Sequence, residues 1–343
     1  MTRYLGGLIT ADETQVIPAD NFEDTSAPGV WTLSEAEMLT KQGKWPTAGL
    51  VGKLAFFFGG NSGSGELDTI QKLNLSTTGN ATDFGDLSAV QALAAAVGTP
   101  TRCVYGGVTD NVGLEYITTS TTGDTTTFGD LSRANDGSAA IGNSTYGLFA
   151  PRTSSTLYDY ERITIASTGN ATDFGDVNVV AYNFGGGVNN TTIGLIFGGY
   201  DSDLSANTDA ISQKSITSSG NATDFGNLTQ ATDLPAGACS STRGVIGGGN
   251  NASPNVTDVI AYVTIASAGN ATDFGNLSVA KEWVGAASST TTAVFAGGYT
   301  GSSTVDTIDS IVIASIGNAT DFGDLVGTTN RLTGVGTRHG GIS

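Results

Sequence analysis

Residues 79–87 read Gly-Asn-Ala-Thr-Asp-Phe-Gly-Asp-Leu, and this nonapeptide recurs along most of the chain. Further copies, of which the first is degenerate but keeps the Gly, Phe, Gly and Leu positions, occupy residues 123–131, 169–177, 220–228, 269–277 and 317–325. The central phenylalanines of the six copies are separated by 44, 46, 51, 49 and 48 residues. A period of roughly 40–50 residues is typical of the blades of a β-propeller.

Other positions keep the same register upstream of each copy. In the second repeat, Ile117 and Thr119 stand six and four residues before the leading Gly, and such alternation indicates a half-buried strand. Further upstream, residues 104–107 form an apolar run that ends in paired glycines, and residues 94–97 form a segment of small residues. Each repeat therefore offers four strands.

Glycine and propensity refine this interpretation. Paired glycines let the chain leave a strand through positive φ, and small residues suit the strands nearest the axis of a propeller, where the blades converge. We expect Gly-Asn-Ala-Thr-Asp to form a turn and Phe to re-enter the sheet. Residues 87–97 would be helical on propensity alone, but their register with residues 284–288 favours a strand. The innermost strand of the fourth blade is expected within residues 182–187.

The ring must close, because an unpaired terminal strand is a liability. Residues 331–336 form a last inner-strand candidate, which we expect to complete the blade that begins near Lys53. This predicts six blades. A ring of seven blades, with residues 3–33 completing the last one, is the alternative.

The glycine pair that ends an apolar strand, on a period near 48 residues, resembles the kelch-type β-propeller. Kelch repeats add a Tyr and a Trp downstream; the Trp position is missing here, and the nonapeptide Phe is expected to take its place in the packing. The resemblance covers about residues 45–338. It implies an all-β, kelch-like propeller with four antiparallel strands per blade.

Composition limits the partners. The 343 residues include 14 Lys and Arg against 32 Asp and Glu, a net charge of −18. Nucleic-acid binding needs clustered cations, so we expect neither a nucleic-acid partner nor insertion into a membrane. The 49 glycines raise the alternative of disorder, but 38% hydrophobic residues in periodic positions are enough to form a core.

Residues 1–44 do not follow the repeat and are predicted to be an attachment arm, leaving residues 45–343 for the propeller. A short helix capped by Thr32 or Ser34 is expected to end near Gln42. Trp31, Trp45 and Pro46 are the candidate anchors of the arm. The alternative is that the two tryptophans plug the bottom of the ring. No basic segment followed by an apolar run is present, so we expect neither a secretory signal nor a transmembrane helix.

Residues 29–36 and 42–46 resemble a leader shared by structural proteins of tailed bacteriophages, especially marine cyanophage-like ones. The nonapeptide is similar to repeats in their tail-fibre and other virion proteins. The resemblance implies an exposed component of the phage particle that contacts other virion proteins. Members of this group occupy the tail fibre, the baseplate or the head decoration.

Catalytic and metal sites are not expected. His339 is the only histidine, which disfavours multi-histidine zinc sites and Ser-His-Asp triads. A sialidase-like site needs three convergent arginines, but the candidates fall in different repeat positions: Arg102, Arg133, Arg152, Arg162 and Arg243. The Asp pairs of the nonapeptide, such as Asp83 and Asp86, supply too few oxygens for calcium. Cys103 and Cys239 are interpreted as buried small side chains. No cofactor is expected.

These observations predict a non-enzymatic structural or adhesion protein of a phage particle, involved in host attachment. Its specificity would come from the variable stretches 61–66, 200–208, 250–256 and 299–304. Tyr200, Asp201 and Tyr299 are the candidate contacts for a host glycan or receptor. A glycan-processing enzyme and a purely structural plug or decoration protein are the alternatives. A homo-oligomer is compatible with all three.

Overall fold

A computed structural model of the chain describes residues 53–108, 111–134, 139–150, 159–178, 186–201, 205–252 and 255–337. The chain divides into Met1–Lys53 and Leu54–Ser343, and the described residues after Lys53 belong to the second unit. The predicted arm with its helix lies outside the described residues, as do Trp31, Trp45, Pro46 and His339.

The described residues form a β-propeller of six blades, each a sheet of four antiparallel strands, as the sequence predicts. In chain order the strands are β1 (Leu54–Phe58), β2 (Thr69–Asn74), β3 (Thr82–Asp86), β4 (Ala95–Gly98), β5 (Arg102–Val108), β6 (Asn111–Thr118), β7 (Thr126–Asp130), β8 (Ala139–Gly142), β9 (Tyr146–Ala150), β10 (Asp159–Thr164), β11 (Thr172–Asp176), β12 (Gly187–Asn189), β13 (Ile193–Phe197), β14 (Tyr200–Asp201), β15 (Ala206–Asn207), β16 (Ala210–Ser215), β17 (Thr223–Asn227), β18 (Ala236–Cys239), β19 (Arg243–Gly247), β20 (Asn250–Ala252), β21 (Asn255–Val256), β22 (Val259–Thr264), β23 (Thr272–Asn276), β24 (Gly285–Ser288), β25 (Thr292–Ala296), β26 (Thr307–Val312), β27 (Thr320–Asp324) and β28 (Thr333–Gly336). From the axis outward the blades are β28-β1-β2-β3, β4-β5-β6-β7, β8-β9-β10-β11, β12-β13-β16-β17, β18-β19-β22-β23 and β24-β25-β26-β27.

The last strand closes the ring on the first. β28 pairs antiparallel with β1, with Gly336 opposite Ala55 and Thr333 opposite Phe58. The first blade therefore combines the C-terminal strand with the strands that begin at Leu54. This confirms the predicted closure and six blades rather than seven.

The hydrophobic core lies between neighbouring blades. Each of its six clusters contains buried side chains from two adjacent sheets. Between the first and second blades, the Phe56 and Phe84 rings meet edge to face at 4.9 Å, and Phe58 stacks on Tyr105 at 5.3 Å. The nonapeptide Phe is buried in all six copies, as expected for a residue that packs between blades.

The nonapeptide connects each blade to the next. The N–H of Gly123 donates to the carbonyl of Phe84 (3.0 Å), and the N–H of Thr125 donates to the carbonyl of Asp86 (2.9 Å). Equivalent pairs join all six neighbouring blades, ending with Gly79 on Phe322 and Ala81 on Asp324, both at 2.8 Å. The result is a closed belt of backbone hydrogen bonds around the outer strands.

The Asn side chain reinforces this belt. The Oδ1 atom of Asn80 accepts the N–H of Asp324 at 3.1 Å, across the junction of the last and first blades. An Asn or Asp does the same at the other five junctions, through Asp124, Asn170, Asn221, Asn270 and Asn318.

Strand pairing within the blades explains two differences from the prediction. The outer strand begins at Thr, two residues before Phe, as in Thr82–Asp86, so the predicted re-entry at Phe is wrong. The Gly-Asn-Ala segment is held by the preceding blade rather than by a local turn. The innermost strand of the fourth blade is Gly187–Asn189, later than the predicted 182–187, because Gly187 pairs with Ile196.

The alanine-rich segment is not helical. Among the described residues the model contains no helix, and Ala95–Gly98 forms the innermost strand of the second blade. Sheet pairing thus overrides helix propensity here, as the repeat register predicts. In the fifth blade, Gly247 stays in the sheet opposite Ala236, and the chain leaves the strand through positive φ at Gly248 and Gly249.

Glycine is required at the seventh position of the nonapeptide. A Cβ atom on Gly85 would lie 2.3 Å from the carbonyl oxygen of Gly123 in the next blade, and Gly85 has φ +157°. The corresponding clash distance is 2.3–2.4 Å in the other five copies, at Gly129, Gly175, Gly226, Gly275 and Gly323.

Gly226→Ala should therefore lower the free energy of unfolding by at least about 2 kcal/mol, since it combines a backbone clash with an unfavourable φ. The matched control is Gly327→Ala, where a Cβ would meet no atom within 4 Å. The control should stay within about 0.5 kcal/mol of the parent. Urea denaturation measures both, and equal stabilities would contradict the role of the belt.

Candidate functional site

The axial channel is lined by the innermost strands and by small residues. Among its described lining residues there is no Asp, Glu, Lys, Arg or His. Its polar groups are used between blades: the Ser288 hydroxyl donates to the carbonyl of Cys239 at 2.9 Å, and the Asn189 amide donates to the carbonyl of Gly142 at 2.6 Å. The channel wall therefore offers little chemistry to a ligand.

One end of the ring gathers the variable links. Because successive strands of a blade run antiparallel, all links between second and third strands leave the sheets at the same end, which we call the loop face. The four variable stretches predicted from the sequence lie there. Two of them contain the small hairpins β14–β15 and β20–β21, and two are closed by the bridges Asn61–Glu66 and Tyr299–Thr304.

A groove of about 850 Å³ lies on the loop face. Residues from five of the six blades line it: Leu93, Tyr200, Ser205, Ala206, Asn207, Ala231, Asp233, Leu234, Asn250, Asn251, Glu282, Trp283 and Arg331. This volume is within the range of ligand pockets, about 300–1,000 Å³. The groove is the candidate functional site.

Four groove residues share a strained backbone conformation. Leu93, Leu234, Trp283 and Arg331 each stand two residues before an innermost strand and have φ between 54° and 57°. A left-handed conformation costs a residue with a side chain roughly 1–2 kcal/mol. Backbone hydrogen bonds hold it: Arg331 N–H donates to Trp283 (2.9 Å), and Leu93 N–H donates to Arg331 (3.1 Å). Such strain clusters at functional sites.

An arginine stacks on an aromatic ring in the groove, and a second ring contacts the first. The guanidinium carbon of Arg331 lies 4.1 Å from the centroid of the Trp283 ring, and the Tyr299 ring contacts Trp283 at 5.7 Å between centroids. The Nε atom of Arg331 is buried, and it has no hydrogen-bond partner among the described residues. The guanidinium is thus oriented by an aromatic ring, without a protein carboxylate as its partner.

A polar wall of the groove adjoins this stack, because Glu282 directly precedes Trp283 in the chain. The Asn250 amide donates to Glu282 Oε2 at 3.0 Å, and the Asn207 amide donates to the carbonyl of Asn250 at 2.7 Å. Glu282 is 7% exposed. The Oδ1 atom of Asn250 is buried and accepts no hydrogen bond from the described residues. This wall presents acceptors, whereas Arg331 presents donors.

The three predicted contact residues lie on the loop face. Tyr200 lines the groove and is 36% exposed. Tyr299 packs on Trp283, which lines it, and Asp201 lies next to Tyr200 in β14, paired with Ala206. The sequence analysis missed Trp283 and Arg331. The available signal was their position, since each is a large residue just before a strand of small residues.

The other described arginines are held within separate parts of the ring. Arg102, Arg162 and Arg243 lie over the rings of Tyr116, Phe174 and Tyr262, at 4.1, 4.2 and 4.4 Å. Arg133 forms an ion pair with Asp159 at 2.6 Å. Arg152 lies outside the described residues.

The Asp residues of the repeat serve local structure. Asp173 accepts the N–H of Gly175 at 2.9 Å, and Asp321 accepts that of Gly323 at 3.2 Å. Within the described ranges, no group of three or more His, Cys, Asp or Glu is arranged to hold a metal ion.

Both cysteines are buried, as interpreted from the sequence. Burial raises the pKa of the Cys103 thiol. The thiolate of Cys103 is therefore disfavoured at neutral pH.

Comparisons with known proteins give no assignment. No protein-family model matches the chain, and no curated protein matches its sequence. In the part of the chain that the structure describes, no helix is long and apolar enough to cross a membrane.

The segment that carries Glu282 and Trp283 begins with a buried ion pair. Lys281 and Asp309 are 3.1 Å apart, and their side chains are 0% and 1% exposed. Burial lowers the pKa of Lys281, and the charge of Asp309 and its hydrogen bond oppose that shift. The Lys281 carbonyl also accepts the N–H of Gly249 at 2.9 Å, which links this segment to the fifth blade.

Asp309→Ala should lower the free energy of unfolding by about 3–5 kcal/mol, because it leaves the Lys281 charge buried without a partner. Asp159→Ala breaks the half-exposed pair with Arg133 and should cost at most about 1 kcal/mol. The double variant Lys281→Met, Asp309→Leu should recover most of the loss. Urea denaturation compares the three, and equal costs for the two single variants would show that the buried pair has no special role.

Proposed function

We propose that this chain is a non-enzymatic structural and adhesion protein of a tailed-phage particle. It presents the loop face of its propeller to a host surface or to other virion proteins. The observation that carries the binding role is the groove, where side chains from five blades meet on the face that carries the variable links. The particle assignment is supported by the resemblance of residues 29–46 and of the nonapeptide to phage structural proteins.

The propeller suits this role because its rigidity and its variability are separated. The belt of hydrogen bonds and the six clusters between blades involve the strands and the nonapeptide. The variable links take no part in the belt, so their length and content can change without loss of the ring. Binding sites commonly lie on loops that a rigid scaffold positions.

The composition of the groove supports recognition of a partner. Tyr, Trp and Arg are the residue types that contribute most at binding interfaces. Tyr200, Trp283 and Arg331 line the groove together. Other virion proteins are the proposed partners of residues 1–44, and a host glycan or receptor is the proposed partner of the loop face. The proposed location is an exposed position on the virion: tail fibre, baseplate or head decoration.

Adhesion can be tested with host cells. Purified protein should bind them and reduce adsorption of the phage. Tyr200→Ser should weaken binding by about tenfold, a loss of ~1.4 kcal/mol, because it removes an exposed aromatic contact. The control is Val326→Ser, which changes a residue that is 62% exposed and does not line the groove. Equal binding of the two variants, or no binding by the parent, would contradict adhesion through this face.

The anchoring role of the arm needs a separate test. Deletion of residues 1–43 should leave the propeller folded, because the strands begin at Leu54, but should remove the protein from assembled particles. Mass spectrometry of purified particles measures incorporation, and thermal unfolding of the free protein checks the fold. Incorporation of the truncated protein at the parental level would show that the arm is not the anchor.

A glycan-processing enzyme is the second candidate, and one observation favours it. Asp233 and Glu282 both line the groove, and most glycosidases use a pair of carboxylates. Incubation with host polysaccharide, followed by measurement of new reducing ends, distinguishes the two functions. Our proposal expects no turnover by the parent, Asp201→Ala or Glu282→Gln. Turnover that depends on one of these carboxylates would establish the enzyme instead.

A further inference from the structure

We infer that the groove recognises a glycan with a carboxylate-bearing sugar, a hexuronic acid unit among neutral sugars, and that Arg331 binds the carboxylate. This assigns a ligand class to the groove and rests on the proposed function, in which the loop face contacts a host surface. The decisive juxtaposition is the Arg331 guanidinium over the Trp283 ring and the neighbouring Asn250–Glu282 pair, which line the same groove.

Arg331 has the geometry of an anion-binding residue. The contact with Trp283 orients the plane of its guanidinium, and its buried Nε lacks a hydrogen-bond partner among the described residues. The two Nη atoms are not buried and make no hydrogen bond to the described residues, so they are the donors that a ligand can reach. Together they form an edge of the guanidinium that matches the two oxygens of a carboxylate.

The absence of a protein carboxylate partner is informative in this chain. Asp and Glu outnumber Lys and Arg by 32 to 14, and two acids, Asp233 and Glu282, line the same groove. Even so, Arg331 forms no ion pair with a carboxylate of the described residues. The guanidinium therefore remains available to an anionic group from outside.

The polar wall favours a ligand rich in hydroxyl groups. Glu282 Oε2 accepts from the Asn250 amide at 3.0 Å, and Oε1 makes no hydrogen bond to the described residues. Sugar hydroxyls supply O–H donors to this second oxygen. Leu93 and Leu234 add apolar surface, against which the C–H groups of a sugar ring can pack.

Charge limits how acidic the glycan can be. A polyanion would place further carboxylates near Asp233 and Glu282, where like charges repel. The same argument disfavours an acidic peptide, which repeats its charge and supplies few hydroxyl groups. One acidic unit among neutral sugars supplies a carboxylate to Arg331 without adding further like charge near Asp233 and Glu282.

Isothermal titration of the full chain tests the inference with a matched pair of probes. The first is a trisaccharide with one glucuronic acid between two neutral sugars, and the second is the methyl ester of the same trisaccharide. The acid should bind with a Kd at least about tenfold lower than that of the ester. Arg331→Lys keeps a positive charge but removes the paired donors, so it should weaken binding of the acid by at least about tenfold and leave binding of the ester unchanged. The control, Arg243→Lys, changes an arginine held by Tyr262 and the carbonyl of Ile313 and should alter neither.

Each other result overturns the inference. Equal affinity for the acid and the ester would show that the groove does not recognise the carboxylate. If Arg331→Lys weakens binding of both probes equally and the variant keeps the parental melting temperature, Arg331 shapes the groove and does not bind the carboxylate. No binding of either probe at millimolar concentration rejects the ligand class, and tighter binding of an acidic hexapeptide favours a protein partner. None of these results decides the host-cell and particle experiments, so the proposed function is judged separately.

Discussion

The fold depends on a backbone contact that the repeat makes with its own next copy. The seventh residue of each nonapeptide lies against the carbonyl of the first residue of the following one, as Gly85 lies against Gly123. Two backbone hydrogen bonds and one from an Asn or Asp side chain complete each junction. Each copy donates backbone hydrogen bonds to the preceding copy and accepts them from the next one. The same few residues must therefore recur at fixed positions. The contact between Gly323 and Gly79 then closes the ring.

This constraint leaves the loop face free to vary. Each hydrophobic cluster is shared by two blades, so a change in a strand alters two neighbouring sheets at once. The links between second and third strands are not part of these shared clusters. Selection can therefore change Tyr200 or its neighbours without unfolding the ring, whereas Gly226 has no tolerated alternative with a side chain. A scaffold of this kind can keep its shape while its ligand changes.

The sequence predicted most of the fold and only part of the site. The repeat period and the alternation of apolar residues were enough to predict four strands per blade. The strand candidate near residue 333 was enough to predict closure of the ring. The start of the outer strand at Thr82 was missed, because Thr82 pairs with Lys72 in the adjacent strand of the same blade and local turn chemistry does not report that pairing. Tyr200 and Tyr299 stood out as aromatics in variable links. Trp283 was not recognised, since its role depends on a stack with Arg331 from another blade.

The choice of residues at the strained positions is the strongest sign that the groove has a function. Among the described residues, nearly all those with positive φ are glycines. The exceptions are Ser205 and the four strained groove residues. Leu93, Leu234, Trp283 and Arg331 adopt it at a cost of roughly 1–2 kcal/mol each, which glycine would remove. Leucine can offset this conformational cost by covering apolar surface at the groove. Arg331 offsets it through the contact of its guanidinium with the Trp283 ring at 4.1 Å, so each of these residues makes a contact at the groove that glycine could not make.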